Sequence, residues 1–136
     1  MRKIDMIVIH CSATRADVPL SPRQLEEMHR QRGFDGCGYH YYVRRDGEIC
    51  TMRPVDRPGA HAKGYNRHSI GVCYEGGLDS NHKPSDTRTL PQKASLVALL
   101  RELKQMFPNV LVVGHHDLNP MKECPCFNAV TEYRGL

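Results

Sequence analysis

The chain has 136 residues, of which 40% are hydrophobic and 25% charged, and its formal net charge is +4. This length suits one hydrophobic core and excludes two independent domains of ordinary size. Because the positive charge is mild and its lysines and arginines are scattered, no nucleic-acid partner is expected.

The N-terminus carries no visible address for export. The apolar run in MRKIDMIVIH is far shorter than the core of a signal peptide, and no apolar stretch reaches the length that crosses a bilayer. We therefore expect a protein that is cytoplasmic as synthesised and has no membrane contact. We also expect it to be a monomer. Six cysteines are present, and reduced thiols are expected because nothing indicates an oxidising compartment.

In chain order, the first predicted elements are a strand and a helix. Residues 4–10 are apolar and β-branched, which predicts a short buried strand. Ser21 and Gln24 stand in capping-box spacing, a proline occupies the first helical position, and Gly33 follows the pattern. These signals predict a helix between Ser21 and Gly33.

Three strands are predicted in the middle of the chain. Residues 39–54 contain two extended runs joined at Asp46-Gly47, which is typical of a β-hairpin. A polar loop rich in glycine follows. Residues 69–77 then predict another short buried strand that ends at a pair of glycines.

The last third of the chain predicts a helix, a strand and a helical tail. Thr89 and Gln92 form a second capping-box pattern, and the apolar residues after them share one helix face. That face comprises Leu96, Leu99, Leu100, Leu103 and Phe107. Residues 109–116 predict a strand, and a short helix is expected around residues 127–133.

The order β, α, β, β, β, α, β, α indicates an α/β fold. We expect a single domain over residues 1–136, with a central mixed β-sheet of about five strands flanked by helices. No repeat and no low-complexity linker interrupts the chain.

Histidines stand at the ends of the first and last predicted strands. These are His10 and His115, and Cys124 lies in the loop beyond. Side chains at neighbouring strand ends can meet at one edge of the sheet, where α/β folds place their sites. Two neutral imidazoles and a thiolate would hold Zn²⁺ and leave a fourth position for water. Spacing alone leaves a chance arrangement open, because the chain has eight histidines.

Two neighbouring residues are not expected to join this site. Adjacent residues of an extended chain point to opposite faces, so only one of His115 and His116 should serve a metal. Cys124 and Cys126, separated by a proline, are poor disulfide partners and lack the spacing of a zinc knuckle. A structural zinc finger is therefore not predicted.

Four segments, in this order, resemble the motifs of the type 2 N-acetylmuramoyl-L-alanine amidases. They are IVIHCSAT, GYHYYVRRDG, GAHAKGYNRHSIGVCYEGG and GHHDLNPMKECPCF. That family includes phage lysozymes of the amidase kind and the animal peptidoglycan recognition proteins. The resemblance runs from about Ile4 to Phe127 and so covers nearly the whole chain.

The resemblance implies a zinc site at one edge of the sheet with His10, His115 and Cys124 as its ligands. It also implies catalytic roles for Tyr39, beside the zinc, and Lys122, shortly before the cysteine. Since no HExxH helix is present, Tyr39 is predicted to position the attacking water or move its proton. Lys122 is predicted to stabilise the oxyanion by charge.

The activity implied is zinc-dependent hydrolysis of the amide bond between N-acetylmuramic acid and L-alanine in peptidoglycan. Peptidoglycan or muropeptides would be the substrate, and the enzyme would act on the cell wall after release or export, as an endolysin does. The loop GAHAKGYN predicts a groove wall rich in small residues. Within it, His61 and Asn66 are predicted to contact substrate or to stabilise the loop.

Two other interpretations stay open. A recognition module would bind peptidoglycan without cleaving it, typically with the cysteine ligand replaced; the presence of Cys124 and Tyr39 favours catalysis. A zinc-stabilised interaction domain would hold its metal with four protein ligands. No fourth ligand is evident near the motif, which disfavours this second interpretation.

Overall fold

The structure, a computed structural model, describes residues 2–136. A sheet forms the centre of the molecule, and helices alternate with its strands in the sequence. The elements are β1 (Met6–Cys11), β2 (Thr14–Arg15), α1 (Pro22–Gln31), β3 (Tyr41–Val43), β4 (Ile49–Thr51), a 3-10 turn (Asn66–His68), β5 (Ser69–Tyr74), β6 (Gly77–Leu78), α2 (Leu90–Met106), β7 (Leu111–Gly114), α3 (His115–Leu118) and α4 (Ala129–Tyr133).

A five-stranded sheet in the order β4-β3-β5-β1-β7 forms the centre. The neighbouring strands β3, β5, β1 and β7 run parallel to one another. The edge strand β4 pairs antiparallel with β3. This confirms the predicted single α/β domain with a mixed sheet. A second, two-stranded sheet of β2 and β6 was not predicted, because two-residue strands are too short to show a periodic pattern.

The two faces of β1 have different roles. Ile7 and Ile9 belong to the larger core, together with residues of α2 and α4. Since side chains alternate along a strand, His10 points to the opposite face. Its partner in register on β5 is Cys73, which packs on that face with Leu25 of α1. His10 therefore faces the α1 side of the sheet.

Both predicted capping boxes are present. Ser21 and Gln24 satisfy each other's backbone N–H groups at the start of α1, and Thr89 and Gln92 do the same at the start of α2. Four of the five residues predicted on the apolar face of α2 are buried. The fifth, Phe107, is only partly buried because it follows the end of the helix.

The predicted hairpin is present as β3 and β4. Val43 pairs with Ile49, and the Arg44 N–H donates to the Glu48 carbonyl at 2.8 Å. Gly47, with φ of +92°, takes the left-handed conformation that this turn requires, which glycine adopts without strain.

The predicted strand over residues 109–116 is too long. β7 ends at Gly114, and a short helix begins at His115. The Asp117 carboxylate accepts a hydrogen bond from the Gly114 N–H at 2.7 Å, and this local bond starts the helical turn. The predicted tail helix is confirmed as α4, with Asn128 as its N-cap. None of the helices within residues 2–136 has the length and apolar character needed to span a bilayer.

Candidate metal centre

Three side chains from distant parts of the chain meet at the carboxyl ends of the parallel strands. His10 comes from the end of β1, His115 follows β7, and Cys124 lies in the next loop. Their ligand atoms all lie within 4.8 Å of one another, and the two imidazole rings are 4.5 Å apart between centroids. Among the residues described, this group has three members and no fourth ligand.

The chemistry of these three groups fits zinc, which prefers imidazole nitrogen and thiolate sulfur. Burial holds the pKa of His10 well below its ordinary value, and burial followed by the charge of Lys122 lowers the pKa of His115. Both rings are therefore neutral at pH 7 and keep a lone pair for a metal. The Cys11 N–H donates to the Cys124 Sγ at 3.1 Å, which holds that sulfur at the end of β1, beside His10.

His116 holds the loop that carries Cys124. Its backbone N–H donates to the Cys124 carbonyl at 2.8 Å, and its ring Nδ1 donates to the Lys122 carbonyl at 2.5 Å. Because neighbouring residues on a helix diverge by about 100°, His116 points away from the metal ligands. It supports the site through the backbone of the loop.

A groove of about 700 Å³ opens over the three ligands. Its lining contains every predicted site residue except His10, which is buried beneath it with 1% of its surface exposed. Three cationic side chains line the groove, Arg32, Lys63 and Lys122, and within the described residues no carboxylate does. The groove therefore presents a positive surface to whatever binds there.

Tyr39 stands in the groove wall beside the first ligand. Its ring centroid lies 4.9 Å from that of His10 and 5.1 Å from that of His29. Burial raises the pKa of Tyr39 well above its ordinary value, so the phenol is protonated near pH 7 and can donate a hydrogen bond. The preceding Gly38 allows this placement, because a Cβ there would lie 2.1 Å from the Ala60 carbonyl oxygen.

Lys122 also lines the groove, together with His115 and Cys124. Its backbone N–H donates to the Asn119 carbonyl at 2.9 Å, which anchors the turn that carries it. The side chain is exposed, and its charge contributes to the lowered pKa of His115.

The loop predicted to contact substrate is held by its own polar groups. The Asn66 Oδ1 accepts from the backbone N–H groups of His61 and Ala62, both at 2.9 Å. His61 places its Nδ1 at 2.9 Å from His10 Nε2 and its Nε2 at 3.3 Å from Ser69 Oγ. Burial lowers the pKa of His61 to about 3, so its ring is neutral. These contacts match the loop-stabilising alternative, and the substrate contacts stay predictions.

Three groove residues at the end of α1 and just after it were not predicted from the sequence. His29, Arg32 and Phe34 line the groove, and the His29 Nδ1 accepts from the Gly38 N–H at 2.7 Å. One signal was available, since His29 follows the buried Leu25 by one helical turn and so occupies the apolar face of α1. Neither Arg32 nor Phe34 carried such a signal.

Comparison with known proteins gives consistent matches. The sequence profile of the family described as N-acetylmuramoyl-L-alanine amidase matches residues 1–127. An endolysin of Enterobacteria phage K11 is 39% identical over 120 residues, 88% of this chain and 79% of that one. A peptidoglycan-recognition protein of Drosophila melanogaster is 29% identical over 141 residues, 92% of this chain and 76% of that one.

A solved structure agrees with these matches. N-acetylmuramoyl-L-alanine amidase LysC from Clostridium intestinale URNW superposes with a TM-score of 0.82 at 34% sequence identity. The superposition covers 97% of this chain and 83% of that chain.

Proposed function

The chain belongs to the N-acetylmuramoyl-L-alanine amidase family, and from this premise we propose that it is a zinc-dependent, endolysin-like enzyme. It hydrolyses the amide bond between N-acetylmuramic acid and L-alanine in peptidoglycan, acting on the cell wall after release or export. One observation carries the proposal: three ligand atoms of the kinds that zinc prefers lie within 4.8 Å of one another under an open groove. We assign residues 1–136 to one catalytic domain.

His10, His115 and Cys124 are the residues that would hold the metal. A zinc ion bound by them would supply the Lewis acidity needed to polarise an amide carbonyl and to lower the pKa of a water nucleophile towards neutrality. Cys124 contributes one negative charge to this set, whereas the two neutral imidazoles contribute none. Within the described residues no fourth ligand group lies with these three, which suits a catalytic rather than a structural zinc site.

Both proposed catalytic residues, Tyr39 and Lys122, line the groove over the three ligands. The Tyr39 hydroxyl, on the wall beside His10, donates a hydrogen bond that orients the attacking water or passes on its proton. The Lys122 side chain lines the same groove, and its charge acts on His115; in this proposal it stabilises the carbonyl oxygen as that oxygen becomes negative. Both groups thus act most strongly on the tetrahedral transition state.

The groove also suits the rest of such a substrate. Peptidoglycan stem peptides carry carboxylates, and the three cationic side chains of the lining attract them. The loop over residues 59–66 forms one wall, and Asn66 keeps it in shape by accepting two backbone hydrogen bonds. A wall of fixed shape holds an extended glycopeptide with less loss of entropy on binding.

Metal analysis combined with digestion of purified peptidoglycan tests the proposal. Wild-type protein, chelator-treated protein and Cys124→Ala are compared, with Cys50→Ala as a control because Cys50 lies in β4 away from the groove. We expect about one zinc ion per wild-type chain and release of new L-alanine amino termini. Both are lost in Cys124→Ala and kept in Cys50→Ala.

Two outcomes would contradict the proposal. Amidase activity that survives complete removal of zinc would exclude the mechanism. Bound zinc with peptidoglycan that is retained but never cleaved would instead identify a recognition module.

A further inference from the structure

The contact between His10 and His61 carries an inference beyond the three ligands. We propose that His61 is a positioning residue for His10, and that the chain of contacts His10–His61–Ser69 decides which ring nitrogen His10 offers to the metal. This inference rests on the proposed zinc site. It gives His61 a role that differs from the predicted substrate contact.

The hydrogen bonds from His10 to His61 and from His61 to Ser69 must both donate in the same direction. His10 Nε2 lies 2.9 Å from His61 Nδ1, so Nδ1 of His10 is the nitrogen left for a metal. An imidazole that gives Nδ1 to a metal carries its proton on Nε2, and this N–H donates to His61 Nδ1. His61 then carries its own proton on Nε2, which lies 3.3 Å from the Ser69 Oγ that accepts it.

Two glycines make room for the His61 ring. A Cβ on Gly71 would lie 2.7 Å from the His61 ring, and one on Gly59 would lie 2.6 Å from it. The ring therefore fills space that is open only because Gly71 in β5 and Gly59 in the loop have no side chains. The backbone N–H of His61 is fixed in turn by Asn66 at 2.9 Å.

The contact between His10 and His61 is buried, so its loss would cost a hydrogen bond. His10 and His61 expose 1% and 9% of their surfaces, and their rings meet edge to face at a centroid distance of 5.0 Å. Water therefore does not replace the acceptor if the His61 ring is removed, and the His10 N–H loses its partner. Partners of this kind orient a metal-binding histidine, and their loss typically weakens metal binding by about 10–100-fold.

The partner here is neutral, which distinguishes it from a carboxylate. A carboxylate would add negative charge to the ligand set, whereas the His61 imidazole orients His10 and leaves Cys124 as the sole anionic ligand. Loss of His61 should therefore disturb ligand geometry and metal affinity without changing the charge of the site.

Metal affinity of purified full-length variants tests the inference. His61→Phe keeps an aromatic ring but removes the acceptor, whereas His61→Asn keeps an acceptor near the position of Nδ1. His40→Phe is the matched control, because His40 is a buried histidine that packs edge to face on the His61 ring at a centroid distance of 5.9 Å but bonds the Gly71 N–H and the Arg57 carbonyl and no metal ligand. It therefore reports what a packing change beside His61 does without loss of the bond to His10. Zinc affinity is measured by competition with a chromophoric chelator, and ligand geometry by the visible spectrum of the cobalt-substituted protein.

For His61→Phe we expect zinc affinity to fall about 10–100-fold and the cobalt spectrum to change, while His61→Asn recovers most of the affinity. His40→Phe should lower the melting temperature of the metal-free protein without a comparable loss of zinc affinity. Ser69→Ala, which removes the far end of the chain of contacts, should give a smaller loss, and it serves as the test if His61→Phe does not fold.

Three results would overturn the inference. They are wild-type zinc affinity in both His61→Phe and Ser69→Ala, an equal loss in His40→Phe, and a raised KM for muropeptide with unchanged zinc affinity. The last would instead establish the predicted substrate contact. A wild-type protein that binds no zinc would defeat the proposed function itself, and that result is distinct from the other three.

Discussion

Buried histidines show how contacts, rather than residue type, assign roles in this protein. His10 is a candidate ligand, His61 contacts it from behind, and His29 and His40 accept hydrogen bonds from backbone N–H groups. Each has its pKa lowered chiefly by burial. At the scale of the residue, the neutral imidazole serves as a structural acceptor at His29 and His40, whereas at His10 it is a candidate metal ligand.

Removing the Tyr39 hydroxyl tests its proposed part in the reaction. In Tyr39→Phe we expect zinc content and muropeptide KM to stay near wild type and kcat to fall about 10²–10⁴-fold, as for loss of a group that moves a proton in the transition state. Steady-state kinetics and metal analysis measure this. Tyr41→Phe is the control, since Tyr41 begins β3 and does not line the groove. An unchanged kcat in Tyr39→Phe would remove this residue from the mechanism.

At the scale of the element, the two long helices begin in the same way but differ in what their caps hold. The Thr89 Oγ1 accepts from the Gln92 N–H at 3.1 Å and also donates to the Arg45 carbonyl at 2.7 Å. That second bond ties the start of α2 to the β3–β4 turn. Ser21 accepts from the Gln24 N–H at 3.1 Å and caps α1 alone.

Alanine substitutions at the two caps should therefore differ in cost. We expect Ser21→Ala to lower the free energy of unfolding by about 1 kcal/mol and Thr89→Ala by about 2 kcal/mol, since the Arg45 carbonyl also loses its donor. Urea denaturation of each variant gives the comparison. Equal losses would mean that the bond between helix and turn contributes nothing to stability.

At the scale of the whole molecule, the buried histidines make the metal-free fold sensitive to acid. Burial is the main reason that the pKa values of His29 and His40 are lowered to about 4, whereas an unfolded histidine titrates at about 6.5. Below that pH the unfolded chain binds protons that the folded chain does not, so stability falls as the pH falls. Above about pH 6.5 these two residues add no pH dependence.

Between about pH 6.5 and 5 we expect each of these histidines to remove up to about 2 kcal/mol from the unfolding free energy of the metal-free protein. Denaturant titrations across this range measure the slope. His40→Asn should flatten it, whereas His82→Asn should not, because His82 is an exposed loop residue. A slope that His40→Asn leaves unchanged would contradict the argument.

Features that depend on residues close together in the sequence were predicted better than features that depend on distant residues. The capping boxes, the Asp46-Gly47 turn and the buried strands were predictable because caps, turns and periodicity depend on residues a few positions apart. The boundary at Gly114 was missed, although the deciding bond to Asp117 is local, because the apolar pattern was extended across both histidines. The ligands themselves were identified by resemblance to a family, since spacing alone left chance open.

The sequence by itself determined the α/β class, the helix starts and the chemical kinds of the candidate ligands. Only the tertiary structure decided which histidine supports His10, because His61 is 51 residues away along the chain and reaches it through parallel strand pairing and two glycines. The same holds for the positive groove, whose cations come from the end of α1, the 59–66 loop and the last loop. Local patterns carry no information about such contacts, since they form only when the chain has folded.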